Sequence, residues 1–198
     1  AGQGMVGAPL RTDAFAMFKE QKIINNKVIA KGELNVRTLY VTDDDRVDSA
    51  AFVFPFSQIV DVDGVDDGCD CSVKFGVCDM NVNLTESVDG SRSVFEYDFT
   101  LSANAVALRT AETELICDAF NTGFEMTTEL KTAAFEEYTG TVRGTATIKQ
   151  RVAVSEGITD VCDVTGAVRI DTSETVGAVV KLGGGIDLKI LCLDGESE

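Results

Sequence analysis

The chain has 198 residues, with 33 acidic and 17 basic side chains, a formal net charge of -16 and no histidine. Histidine is the commonest general base and a frequent metal ligand, so its absence excludes His-based catalytic triads and zincin-type sites within this sequence. The acidic excess argues against nucleic acid and anionic membranes as partners, because both are bound through clustered lysine and arginine. A hydrophobic share of 44% at this length predicts one large folded domain or two small ones.

The segment from Lys27 to Val41 shows the period-two alternation of a half-buried strand. Up to Val36, apolar or small residues occupy the even-numbered positions. After Thr38 the apolar set moves to Leu39 and Val41, so the two faces exchange. This exchange predicts a β-bulge or bend near residues 37–38.

Further alternating runs begin at Val73, Phe95 and Val142, and polar turns containing glycine separate them. Strands with one polar face and short polar turns predict antiparallel sheets of sandwich or barrel form. One short helix is expected at Glu129–Tyr138, where apolar residues recur at helical spacing before Gly140.

An internal repeat decides how the N-terminal residues are interpreted, because they fit either a helix or a strand. A shift of 152 residues places the segment starting at Val28 on the segment starting at Val180, apolar on apolar. The same shift places residues 15–18 on the strand-like residues 167–170. The sequence therefore predicts an all-β fold of two antiparallel β-sandwich or barrel-like lobes, related by a weak repeat, with at most one or two short helices.

Four stretches of the sequence carry a family resemblance. They read KVIAKGELNVRTLYV at 27–41, FPFSQIVDVDG at 54–64, CSVKFGV at 71–77 and ANAVALRTAETELICDAFNTGFE at 103–125. Together they resemble the SPOCS domain, and VVKLGGGIDLKILCL at 179–193 resembles the opening of a second copy. That family occurs in clostridial spore-coat-associated proteins, often as tandem copies ahead of a C-terminal LysM module, which this sequence lacks.

The resemblance implies a non-catalytic structural or protein-interaction protein associated with spore coat assembly, with no catalytic residue and no cofactor. We expect a lead-in strand at 1–26, a first SPOCS-like β domain at 27–120 and a second β lobe at 121–198. The expected partners are spore coat or cortex-associated proteins or a second copy of the chain, and not nucleic acid.

The expected location is the mother-cell cytoplasm or the surface of the developing spore. No apolar run approaches 18 residues, so no membrane span is expected, and no signal peptide is visible.

An acidic cluster in DVDGVDDGCD suggests a different function, that of a Ca²⁺-dependent extracellular binding module. Its candidate ligands are Asp61, Asp63, Asp66 and Asp67. The spacing does not match an EF-hand loop, which favours a solvated acidic turn in which Gly64 and Gly68 supply positive φ. Residues 61–120 hold thirteen acidic and three basic side chains, which predicts a basic partner.

Six cysteines include a CxC pair, Cys69 and Cys71, followed by Cys78. A structural zinc site normally has two paired knuckles, and only one pair is present here. Nearby carboxylates raise thiol pKa values, which argues against a reactive thiolate. We therefore interpret the cysteines as reduced thiols in a cytosol-like compartment.

Overall fold

The computed structural model describes residues 6–88, 90, 93–129, 131–136, 138–142, 144–153 and 156–194. Within these residues it contains strands and no helix, so the predicted all-β class is confirmed. The seven strands are β1 (Val6–Ile24), β2 (Lys27–Thr42), β3 (Val47–Asp61), β4 (Asp70–Glu86), β5 (Ser93–Leu108), β6 (Ile158–Val176) and β7 (Val179–Asp194). They form three antiparallel sheets, ordered β1-β2-β3, β4-β5 and β6-β7, none of which closes on itself in the described part of the chain.

The helix predicted at Glu129–Tyr138 is wrong, because the described residues of that range have no regular secondary structure. Phe135 is 83% exposed, so this apolar side chain is not packed against the sheets. A helix of only ten residues is marginal in water without such packing. The segment lies in the irregular stretch between β5 and β6.

Strand β2 is the central strand of the first sheet, and one of its faces is fully enclosed. Val28, Ala30, Leu34 and Val36 point to that face and are at most 3% exposed. The enclosed face of β2 and β3 lies against the β4–β5 hairpin through aromatic side chains. The two sheets therefore pack as layers, and burial of this face supplies much of the driving force for folding.

The bulge predicted at residues 37–38 is wrong in its location. Strands β2 and β3 pair without irregularity from Lys27 to Val41, and the irregularity opposite Leu39 and Tyr40 lies on β1, between Pro9 and Arg11. The faces do not exchange, because Thr38 stays on the enclosed face at 0% exposure. Its hydroxyl lies 2.9 Å from the Thr12 hydroxyl and 2.7 Å from that of Tyr97, and a hydrogen-bonded hydroxyl can be buried at little cost.

The acidic turn, which is residues 62–69 between β3 and β4, contributes to the core as well as to the surface. Val65, at its centre, is buried with Val28, Ala30, Cys71 and Val73. The Asn26 backbone N–H donates to the Val65 carbonyl at 3.1 Å, and the Val62 N–H donates to the Asn26 carbonyl at 2.8 Å. The turn between β1 and β2 therefore holds the acidic turn in place.

The internal repeat is visible in the strands themselves. Adding 152 to the bounds of β1 and β2 gives the bounds of β6 and β7. The register shifts of the first hairpin follow Val6, Pro9 and Phe18, and those of the second follow Ile158, Val161 and Ile170, at the same offset. The segment from Ile158 to Asp194 thus repeats the opening hairpin of the fold residue for residue.

A glycine recurs at the equivalent position of each hairpin because the neighbouring strand comes very close to it. A Cβ on Gly32 would lie 2.8 Å from the carbonyl oxygen of Met17, and a Cβ on Gly184 would meet the carbonyl oxygen of Arg169 even more closely. Both contacts lie one residue before the third register shift of their hairpin. Only glycine lets the backbones approach this closely.

Residues predicted as a lead-in segment, 1–26, contain β1, which is the first strand of the three-stranded sheet. Residues 1–5 lie outside the described residues. The predicted boundary at 120/121 falls within the irregular stretch that follows β5. The division into domains at 27–120 and 121–198 stays a prediction.

Candidate interaction surfaces

An ion pair joins the first sheet to the C-terminal hairpin. Asp163 on β6 is only 5% exposed, and its Oδ1 lies 3.1 Å from Nη1 of Arg37 on β2. Nη2 of Arg37 also donates to the Cys162 carbonyl at 3.2 Å, and Nη1 of Arg11 lies 3.8 Å from Asp163 Oδ2. Two guanidinium groups, from β1 and β2, thus lie close to this buried carboxylate on β6.

Beside this ion pair lies a groove of about 490 Å³ between the outer face of the first sheet and β6. Phe15 and Val53 supply much of its apolar wall, and Asn35 also lines it, with a buried Nδ2 that has no hydrogen-bond partner among the described residues. Such a groove can hold an apolar side chain next to one amide donor. These properties suit a protein segment as an occupant.

The predicted calcium ligands do not converge in the structure. Asp61 pairs with Lys27, whose Nζ lies 2.7 Å from Oδ1, while Asp63 and Asp67 are exposed. Asp66 accepts from the Gly68 N–H at 3.0 Å and contacts the Arg109 guanidinium. Within the described residues, no group of three His, Cys, Asp or Glu side chains is placed to hold a metal ion.

Arg109 is the residue at the acidic turn that sequence reasoning missed. Its Nη2 donates to the Gly64 carbonyl at 2.9 Å as well as to Asp66. The Gly68 N–H, the Cys69 thiol and Arg109 together lower the pKa of Asp66. A carboxylate and a carbonyl oxygen of the turn are thus already bound by a cation from the end of β5, which no local pattern in the sequence signals.

All six cysteines are free in the structure. Burial raises the pKa of the Cys71 thiol, and the neighbouring Cys69 and Asp70 raise it further. Burial also raises the pKa of Cys162, with smaller contributions from Asp160, Cys192 and Asp163. These two thiols are therefore protonated and weakly nucleophilic at neutral pH.

The C-terminal hairpin exposes apolar side chains that its N-terminal counterpart buries. Val28, Leu34 and Val36 are enclosed, whereas their repeat equivalents Val180, Ile186 and Leu188 are 45–51% exposed. The difference arises because β3 and the β4–β5 hairpin cover β2, while β7 has β6 as its neighbour. Exposed apolar surface of this kind often marks a site of protein interaction.

Comparison with known proteins identifies the N-terminal part of the fold. Residues 10–85 match the family model described as SipL, SPOCS domain. No curated protein and no solved structure matches the chain. Among the described residues, no helix is long and apolar enough to cross a membrane. The matched segment runs from within β1 through most of β4, so it includes most of the three-stranded sheet and the acidic turn, and over residues 10–85 the chain is similar to the SPOCS domain family.

Proposed function

We propose that the chain is a non-catalytic protein-interaction protein that takes part in spore coat assembly, in the mother-cell cytoplasm or on the developing spore. The match of residues 10–85 to the SPOCS domain carries this proposal. Two buried polar groups support it, because their partners belong to other layers of the fold. The Thr38 hydroxyl is hydrogen-bonded to the Tyr97 hydroxyl, and the Asp163 carboxylate is ion-paired with Arg37. These groups hold layers of the fold together.

The partner we propose is a basic protein of the coat or cortex. Residues 61–120 carry a net charge of -10. Most of these residues lie in the acidic turn and the β4–β5 hairpin. Glu96 and Asp98 are exposed on the outer face of β5. Acidic groups spread over one surface attract a positively charged partner, and salt weakens that attraction.

Affinity capture from cell extract tests this function. We expect the immobilised chain to retain a basic protein from sporulating cells but not from vegetative cells, and to lose it when residues 27–125 are removed. A double variant with Glu96→Gln and Asp98→Asn keeps side-chain size and should retain several-fold less partner. The matched control carries Asp171→Asn and Glu174→Gln on β6 and should retain as much as the unmodified chain. Retention of no coat or cortex protein from sporulating cells would contradict the proposed function.

A further inference from the structure

Strand β7 has one edge that no strand occupies in the described part of the chain. Its other edge is fully paired with β6, from Val179 to Asp194. The equivalent strand β2 is paired on both edges, by β1 and by β3. Strand β7 repeats β2 in length and register. Its free edge is therefore regular, and it corresponds to the edge of β2 that pairs with β3 in the first sheet.

The free edge of β7 lacks the features that usually keep an edge strand from pairing. Proline and bulges commonly protect edges, and β3, at the edge of the first sheet, has Pro55 near its middle. Strand β7 contains no proline. The residues skipped at the three register shifts of its hairpin, Thr159, Cys162 and Asp171, all belong to β6.

The order of side chains along β7 favours a second copy of β7 as its partner. An antiparallel pairing about a two-fold axis at Gly184 places Lys181 opposite Asp187 of the second copy, and the reverse. On the other face the same register places Leu182 opposite Ile186 and Val180 opposite Leu188. Each of these charged residues lies opposite a residue of the other sign, and each of these apolar residues lies opposite an apolar residue. Cross-strand pairs of both kinds stabilise an antiparallel sheet.

The composition around the axis fits the same arrangement. Gly183 and Gly185 flank Gly184, so no side chain of these three residues projects from either face of the sheet at the two-fold axis. The pairing is isologous, because the same surface is used by both copies, and it closes as a dimer without leaving a further β7 edge open. The exposed apolar faces of the two hairpins then form one continuous apolar surface.

We propose that two copies of the chain associate through β7, forming a four-stranded sheet in the order β6-β7-β7-β6 with its two-fold axis at Gly184. This inference deepens the proposed function, on which it rests for the role of the dimer in assembly. The dimer presents two SPOCS segments to partners, one from each copy.

Charge reversal tests the register of the pairing. Lys181→Asp places aspartate opposite Asp187 at both symmetric positions, and Asp187→Lys places lysine opposite Lys181. We expect each single variant to raise the dimer dissociation constant about tenfold, because two attractive pairs become repulsive. The double variant restores opposite charges and should return to within about threefold of the unmodified chain.

The double variant separates pairing between copies from effects within one hairpin. Lys181 faces Glu174 on β6, and Oδ2 of Asp187 lies 3.6 Å from Nε of Arg169, so each reversal also introduces repulsion inside its own hairpin. Both internal repulsions remain in the double variant. Recovery of the dimer can therefore come only from the restored pairs between copies.

Sedimentation equilibrium of the full chain, in reducing buffer at low salt and up to ~100 µM, gives the dissociation constants. Lys189→Asp is the control, since Lys189 faces the uncharged Val179 in this register, and its dimer should be unchanged. A monomeric unmodified chain, or a dimer that the single reversals leave intact, would overturn the inference. A chain without a dimer that still captures a coat protein would leave the proposed function standing, whereas a dimer that captures none would contradict only that function.

Discussion

Replacing Tyr97 by alanine is expected to lower the free energy of unfolding by about 3 kcal/mol, which is large for one side chain. Tyr97, on β5, joins the two layers of the fold. Its ring centroid lies 5.8 Å from Phe52, 6.0 Å from Phe54 and 5.8 Å from Phe99, and its hydroxyl reaches the buried Thr38. Truncation removes these contacts and leaves a cavity between the layers. Urea denaturation followed by near-ultraviolet circular dichroism measures the loss.

Tyr97→Phe is the matched control for this prediction. It keeps the ring and removes only the hydroxyl, while the Thr38 hydroxyl retains its 2.9 Å contact with Thr12. The expected loss is about 1 kcal/mol. Equal losses for the two variants would show that ring packing contributes little, and would contradict the layered arrangement of the two sheets.

Replacing Gly32 by alanine is expected to cost about 2–3 kcal/mol, although alanine adds one methyl group. That methyl group would lie 2.8 Å from the Met17 carbonyl oxygen and 2.5 Å from Cζ of Phe56. The phenyl ring of Phe56 can rotate, but the backbone of β1 is fixed by its pairing with β2. The thermal unfolding midpoint should therefore fall by about 4–12 °C.

Gly144→Ala is the control for this substitution. A Cβ at Gly144 would meet nothing within 4 Å, and no positive φ is found there, so its unfolding midpoint should not fall. If Gly32→Ala were as stable as Gly144→Ala, the close approach of β1 to β2 would be refuted. The register shift after Phe18 would then need another explanation.

The strands of the first sheet were predictable because burial on one face leaves a period-two pattern. Val28, Ala30, Leu34 and Val36 carry that pattern, and their face is the enclosed one. The pattern failed at Thr38, because a hydroxyl with partners on β1 and β5 can occupy an apolar face. A sequence pattern reports the polarity of a side chain, whereas the burial of Thr38 depends on residues distant in the chain.

The repeat was predictable for a different reason. Gly32 and Gly184 are required by close contacts with the neighbouring strand, so the same residue recurs at the same place in both hairpins. The surroundings of the two hairpins were not predictable. Leu188 is exposed whereas its equivalent Val36 is buried, and this difference depends on which other strands cover each hairpin.

The candidate surfaces were predicted only in part. Asp61 and Asp66 were recognised as an acidic cluster, but their cationic neighbours Lys27 and Arg109 come from other strands. Arg37 and Asp163 likewise meet through the fold, across two parts of the chain that no local motif connects. Pairs of this kind need the topology before they can be identified.

The central claim is that the C-terminal hairpin is an opening hairpin of the same fold with fewer covering strands. Hydrogen exchange along the whole chain tests it most directly, at a concentration where the chain is monomeric. The account predicts slow exchange throughout Val28–Thr42, which is paired on both edges, and alternating exchange in Val179–Asp194, where only the amides directed at β6 are protected. Uniform slow exchange in Val179–Asp194, or fast exchange in Val28–Thr42, would contradict it.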